Sequence, residues 1–164
     1  VASAEDKDGL WGFIKRYAPE ASPDSHPDLD AAAGFAVRYF NDFVAPQREF
    51  RVPNDQERAA LSDLAAALSD SALAAEMIAT KNAAMGKDDA VGVLDFTNAD
   101  DLQSVVFAVG KNHGFENLRD WFKAIYEILL GASQGPRFGG FIALYGVDET
   151  VALIGKGLSG ELVA

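Results

Sequence analysis

The chain has 164 residues with no cysteine and two histidines, and its formal net charge is −11, with 49% hydrophobic and 24% charged residues. This composition is typical of a globular protein with a normal hydrophobic core, and it excludes disulfides, thiolate nucleophiles and cysteine-ligated zinc. The acidity argues against broad, charge-driven binding of DNA or RNA, and no apolar run approaches the roughly 20 residues that cross a bilayer.

The first residues, VASAEDKDG, contain neither a basic nor an apolar region, so we expect no signal peptide. Together with the lack of cysteine, this predicts a cytoplasmic protein. His26 and His113 stand apart in the chain and do not have the spacing of metal ligands. We therefore expect no metal site.

The N-terminal part predicts two helices and one extended segment. Apolar spacing indicates a helix over residues 10–18, which Pro19 ends, and a second from Pro27 to about Val44. The segment PQREFRVP, residues 46–53, is bounded by prolines and should be extended. The predicted buried face of the second helix consists of Leu29, Ala33, Ala36, Val37 and Phe40.

Capping residues locate the next helices. Asn54 with Glu57 forms the pattern of a capping box, ahead of a helix that buries leucines, and Ser71 opens another helix that ends at Gly86. Residues 87–97 indicate a loop or one short strand-like piece. Asn98 caps a further helix, for which Gly114 is a plausible end.

The most regular helical pattern covers residues 115–131, where Leu118, Phe122, Ile125 and Leu129 share one face. A Gly-Pro-Arg turn follows, and two short helices separated by Gly146 complete the chain. The pattern predicts an all-α protein, a helical bundle or cage of about seven to eight helices with short connections. We divide it into an N-terminal helical subdomain, residues 1–97, and a C-terminal cage subdomain, residues 98–164.

The sequence contains no convincing catalytic constellation. Its acidic residues cluster at helix N-termini and on polar faces, where solvation explains them. The glycines after residue 131 do not form a phosphate loop, because no strand precedes them and no Lys-Ser/Thr pair follows. We therefore predict no catalytic residue and no cofactor in this chain.

The best candidate for a binding surface is the face of the 115–131 helix opposite its apolar face. Arg119, Lys123 and Tyr126 lie at i, i+4 and i+7, and the helix leads to Gln134 and Arg137. Cations, a ring and an amide suit single-stranded RNA, because unstacked bases offer π-faces and Watson–Crick edges. The alternative is an ordinary solvated helix face.

A second group of cations surrounds the extended segment. Arg38, Arg48 and Arg51, with Tyr39, are candidate phosphate contacts, since arginines on extended loops often contact phosphates. The same arginines could instead pair with acidic neighbours. Trp11 and Trp121 lie in apolar helical runs, and we expect both to be packing residues.

The run NHGFENLRDWFKAIYEILLGASQGPRFGGFIALYGVDETVALI resembles the C-terminal end of the class I lysyl-tRNA synthetases, and residues 10–46 and 51–64 are similar to the region just upstream in that family. The resemblance implies an α-helical cage that binds the anticodon of lysine tRNA. ATP and lysine would bind a separate catalytic domain with HIGH and KMSKS-type motifs, neither of which occurs here. This chain should therefore be part of a ligase, while being non-catalytic alone.

The resemblance also implies roles for single residues. The turn Gln134, Gly135, Pro136, Arg137 and Phe138 matches the family's Q-G-P-R ending and is the first candidate for base contact. Tyr126 would reach an anticodon base, and Arg119 and Lys123 would contact phosphates or bases. The expected partners are lysine tRNA and the catalytic domain, without a membrane or DNA. A helical protein-interaction domain with no RNA role is the alternative.

Overall fold

The computed structural model describes residues 6–164, which form eight α-helices and no strand, and this confirms the all-α prediction. The first five residues of the predicted N-terminal subdomain lie outside the described residues. The described residues form two compact units, which meet in the sequence between Arg48 and Glu49. The boundary that we place between residues 97 and 98 differs from this division and stays a prediction.

The first unit consists of α1 (Lys7–Tyr17) and α2 (Pro27–Tyr39), and the chain continues from α2 into a π-helical turn, Phe40–Val44. The Asp6 carboxylate caps α1 by accepting the backbone N–H of Gly9. Pro27 occupies the first turn of α2, where its missing N–H costs nothing. The predicted end near Val44 is therefore confirmed, although the last turn is wider than an α-helix.

Trp11 is the packing centre of the first unit, as predicted, and only 4% of its surface is exposed. Its indole N–H donates to Asp30 at 2.9 Å, and the Lys7 ammonium donates to the same carboxylate. These hydrogen bonds, the one from Lys7 foremost, lower the pKa of Asp30. The predicted burial of Leu29 is wrong: it is exposed in the first turn of α2, although Ala33 and Val37 on the same helix face are buried.

The second unit contains the other six helices. They are α3 (Asp55–Ser69), α4 (Ser71–Ala84), α5 (Ala99–Asn112), α6 (Leu118–Ile125), α7 (Phe138–Tyr145) and α8 (Val147–Ser159). The predicted capping box is confirmed, since Asn54 and Glu57 exchange side-chain and backbone hydrogen bonds at the start of α3. Residues 87–94 belong to no helix or strand.

Helix α5 lies at the centre of the second unit and packs against α3, α4 and α7, while α3 also packs against α8. Trp121 is completely buried beside Gly110, and its indole N–H donates to the carbonyl of Val106 at 3.0 Å. A side chain at position 110 would collide with that ring, so the glycine lets α6 approach α5 closely. Trp121 is thus a packing residue, as predicted.

Helix α6 continues into a π-helical turn, Tyr126–Leu130, and ends at Gly131, whose φ of +66° is left-handed. Gly146, with φ +113°, separates α7 from α8, and the two helices diverge by 113°. Within residues 6–164, no single helix is long and apolar enough to cross a membrane; only this sharply bent pair, taken together, passes by length and composition.

Candidate nucleic-acid interface

An open pocket of about 350 Å³ lies in the second unit, between α6, the loop that follows it, and α5. This volume falls in the lower part of the range of about 300–1,000 Å³ that is usual for small-ligand sites. We call it the candidate pocket. It brings together six residues that the sequence predicts: Arg119, Lys123, Tyr126, Gln134, Gly135 and Arg137.

Helix α6 supplies one wall of the candidate pocket. Asn117 caps the helix by accepting the backbone N–H of Arg119, which fixes where the helical spacing begins. From that start, Trp121 and Ile125 point into the core, while Arg119 and Lys123 are exposed. The amphipathic pattern of α6 therefore places both cations on the pocket side.

The Gly-Pro-Arg turn forms the opposite wall, and hydrogen bonds hold it at both ends. The Tyr126 hydroxyl donates to the carbonyl of Pro136 at 2.7 Å. The backbone N–H of Gly139 donates to the Gln103 side chain, also at 2.7 Å. These bonds join the turn to the end of α6 and to α5, so they fix the backbone on both sides of Arg137.

Close packing between the turn and its neighbours requires glycine at two positions. A Cβ on Gly135 would lie 2.7 Å from a ring carbon of Tyr126, and one on Gly139 would collide with the backbone of α5. Burial of the Tyr126 phenol raises its pKa above the ordinary 10.0. The phenol is therefore a neutral hydrogen-bond donor at physiological pH.

Arg137 projects from the turn and remains accessible. Its guanidinium donates one hydrogen bond to Asp100 at 2.7 Å, with 61% of the arginine side chain and 76% of the aspartate side chain exposed. A guanidinium has five N–H donors, so this single bond leaves most of its donors for a ligand. An exposed ion pair of this kind contributes only about 0–1 kcal/mol to stability.

Lys123 and Arg51 share one carboxylate. The Lys123 ammonium lies 3.6 Å from Glu127, and the Nε atom of Arg51 lies 2.6 Å from the other oxygen of the same residue. Arg51 also makes a two-pronged contact with Glu57, at 2.7 and 2.9 Å. These hydrogen bonds, above all those that Arg51 donates to Glu57, raise the pKa of the Arg51 guanidinium despite its partial burial.

The remaining predicted site residues lie elsewhere. The Phe138 side chain is completely buried and stacks on Phe141, so the structure assigns it to core packing and not to base contact. Arg51 is tied to two carboxylates, which corresponds to the acidic-neighbour alternative. Arg38 and Arg48 belong to the first unit, where the Arg48 guanidinium lies over the Phe40 ring. Burial lowers the pKa of Arg48.

Three further residues line the candidate pocket but were not predicted as site residues: Gln103, Phe122 and Ser133. The sequence places Phe122 on the buried face of its helix, and in the structure it is half-buried, with one side lining the pocket. Gln103 lies on α5 and approaches the turn only through the tertiary fold. No local pattern in the sequence could have identified it.

The lining has a clear chemical character. It contains three cations, two aromatic side chains and two amides, and none of its residues is acidic. Over the part of the chain that the structure describes, no group of three or more histidine or carboxylate side chains could hold a metal ion. The arrangement thus suits a planar, hydrogen-bonding ligand with a nearby negative charge.

Comparisons with known proteins point to one kind of relative. The chain is 53% identical over 164 residues to a lysine–tRNA ligase of Roseobacter denitrificans, covering all of this chain and 27% of that protein. It is 40% identical over 154 residues to the lysine–tRNA ligases of Rickettsia akari and Rickettsia bellii, covering 94% of this chain and 25% of each relative.

No family model matches the chain, and no solved structure matches it. The similarity extends over nearly the whole chain, yet the chain spans only about a quarter of the length of the curated relatives it matches. The chain is therefore a relative of lysyl-tRNA synthetases that corresponds to a part of those proteins, as the sequence predicts.

Proposed function

We propose that this chain is the anticodon-binding part of a class I lysyl-tRNA synthetase, and that the candidate pocket receives an unstacked anticodon base. The observation that carries the proposal is the meeting of Arg119, Lys123, Tyr126, Gln134 and Arg137 around one open pocket. These residues come from a helix and from the turn that follows it, both within the run that resembles the synthetases. The names of the relatives agree with that resemblance.

The chemistry of the candidate pocket matches a nucleobase attached to a phosphate backbone. The half-buried rings of Phe122 and Tyr126 offer apolar surface to a base, and Gln134 offers both a donor and an acceptor to its edge. The three cations lie where they can reach phosphates. The chain as a whole is acidic, so we expect RNA to be attracted only locally, at this face.

In this proposal the chain positions tRNA and performs no chemistry. Contacts at the anticodon would orient lysine tRNA so that its acceptor end reaches a catalytic domain, which binds ATP and lysine and catalyses aminoacylation. Each good base contact contributes about 1–3 kcal/mol of discrimination. The partners are thus lysine tRNA and the rest of the synthetase, in the cytoplasm, and neither DNA nor a membrane is required.

The proposal is tested by measuring equilibrium binding of two tRNAs to the full chain at one fixed salt concentration. The first is lysine tRNA, and the second is the same molecule with its three anticodon bases replaced. We expect tighter binding of the first, by about 5-fold or more for each base read. Equal affinity for the two would contradict anticodon recognition.

A second candidate function, a protein-interaction domain, is favoured by one observation. Phe35, Tyr39 and Phe43 recur at every fourth position along α2 and its π-helical turn, and each is more than half exposed, at 65%, 54% and 59%. Apolar surface of this kind is typical of docking faces. A salt series distinguishes the two functions, because RNA binding weakens steeply as salt rises and apolar docking does not.

A further inference from the structure

The Arg51 guanidinium is the centre of a three-residue cluster next to the candidate pocket. It contacts Glu127 at 2.6 Å and Glu57 at 2.7 and 2.9 Å, so one cation serves two carboxylates. Glu57 is buried, and 76% of the Glu127 side chain is covered, since its exposed fraction is 24%. Arg51 itself does not line the pocket.

Glu127 is a disadvantage for a site that binds RNA. It is next to Tyr126 in the chain, four residues after Lys123, and its carboxylate lies 3.6 Å from the Lys123 ammonium. A carboxylate at this place attracts the lysine that an RNA phosphate would need, and it repels the phosphate itself. Because Glu127 is mostly covered, water screens its charge only partly.

The extended segment that carries Arg51 is fixed to the same helix. The backbone N–H of Glu49 donates to the carbonyl of Gly131 at 2.9 Å, where the helix of the pocket wall ends. The segment therefore holds the Arg51 side chain against Glu127. Arg51 contacts the Oε2 atom of this carboxylate, while the Lys123 ammonium lies near its Oε1 atom.

We propose that Arg51 is a positioning residue of the candidate RNA site, which holds and neutralises Glu127 and so leaves the Lys123 ammonium available to an RNA phosphate. The inference rests on the proposed function, because it explains how one of the pocket's cations is kept available. It also gives Arg51 a role different from the direct phosphate contact that the sequence suggests.

The test compares the dependence of lysine tRNA binding on salt among variants of the full chain. Arg51→Met should weaken binding as much as Lys123→Ala does, and it should reduce the slope of log K against log salt by about 0.7–0.9, the value of one phosphate contact. Adding Glu127→Gln to Arg51→Met should restore both. Glu57→Gln is the matched control, because it removes the other partner of Arg51 and leaves the contact with Glu127 in place.

A merely structural role for Arg51 would give a different result. Arg51→Met and Glu57→Gln would then weaken binding alike, and Glu127→Gln would not restore it; this pattern, or an unchanged slope in Arg51→Met, overturns the inference. If Arg51→Met does not fold, Glu127→Gln alone decides. Because Lys123 is already available in the wild type, an unchanged slope of log K against log salt, with binding at least as tight, supports the inference. A steeper slope overturns it, since Lys123 would then gain a phosphate contact only when Glu127 is removed, and weaker binding overturns it as well.

A measurement without RNA separates this inference from the proposed function. In a crystal structure of Arg51→Met, the distance between Lys123 Nζ and the Glu127 carboxylate should shorten from 3.6 Å to that of a charge-assisted hydrogen bond, about 2.7–2.9 Å. An unchanged distance contradicts the inference even if the wild type binds tRNA. A shortened distance in a chain that does not distinguish anticodons contradicts the proposed function instead.

Discussion

Replacing Arg137 with alanine should weaken binding of lysine tRNA while leaving the fold almost intact. The Arg137 side chain is 61% exposed, and the side chain of its partner Asp100 is 76% exposed. Exposed ion pairs contribute about 0–1 kcal/mol, so the free energy of unfolding should fall by no more than about 1 kcal/mol. For a chain of this size, that corresponds to a decrease in Tm of about 2–4 °C at most.

The expected effect on binding is larger than the effect on stability. Loss of a guanidinium contact to a base edge costs about 1–3 kcal/mol, which lowers affinity about 5- to 150-fold. Fluorescence anisotropy with labelled lysine tRNA at one salt concentration measures the affinity, and thermal unfolding measures the stability. Lys87→Ala is the matched control, because it removes an exposed cation that does not line the candidate pocket.

Two results would refute the reasoning about Arg137. If Arg137→Ala binds lysine tRNA as tightly as the wild type, the guanidinium does not contact the RNA. If Lys87→Ala weakens binding to the same extent, the effect is one of net charge, and the turn has no special role. In both cases Arg137 could no longer be assigned as a hydrogen-bond donor to the RNA.

Three other changes have defined outcomes. Gly135→Ala places a Cβ 2.7 Å from the Tyr126 ring. It should lower the free energy of unfolding by about 1–3 kcal/mol and weaken tRNA binding. Gly140→Ala is the control, because a Cβ there meets nothing within 4 Å, and it should lower neither stability nor tRNA affinity. Tyr126→Phe removes the hydrogen bond to Pro136, so the free energy of unfolding should fall by about 0.5–1.5 kcal/mol. Because the pKa of Tyr126 is raised in the folded state, the wild type should also lose stability as pH rises from 10.0 through that higher pKa. The variant should not show this loss. Burial opposes ionisation of Glu57, but hydrogen bonds from Arg51 and Asn54 outweigh this effect and lower its pKa. The contribution of Glu57 to stability is therefore present above pH 4.5 and is lost as pH falls through the folded pKa. When the free energy of unfolding is measured against pH in acid, Glu57→Gln should show a shallower slope than the wild type. Equal slopes in the last two comparisons would contradict the assignments.

Local patterns predicted most of the helices and one wall of the candidate pocket. The capping box of α3 and the spacing of α6 depend on residues a few positions apart, so their physical causes are visible in the sequence. The same spacing places Arg119 and Lys123 on the exposed side of α6, opposite Trp121. This part of the pocket follows from helix geometry alone.

The errors occurred where tertiary contacts decide the outcome. Leu29 fits the apolar stripe of α2 but lies in the first turn of the helix, and it is exposed while Ala33 and Val37 farther along the stripe are buried. Gln103 approaches the turn from α5, and it lies 36 residues before Gly139, whose backbone N–H it accepts. Phe138 follows the turn directly, yet α7 carries its ring into the core. Sequence spacing contains no information about these distant contacts.

The most direct test of the proposed binding site is an NMR titration of the isotope-labelled full chain with an RNA hairpin that carries the lysine anticodon. We expect the amide shifts that change most to come from residues 117–137 and from the neighbourhood of Gln103, and we expect a hairpin with a different anticodon to change them much less. Shifts concentrated on α2, around Phe35, Tyr39 and Phe43, or equal shifts with both hairpins, would contradict the assignment of the candidate pocket to anticodon binding.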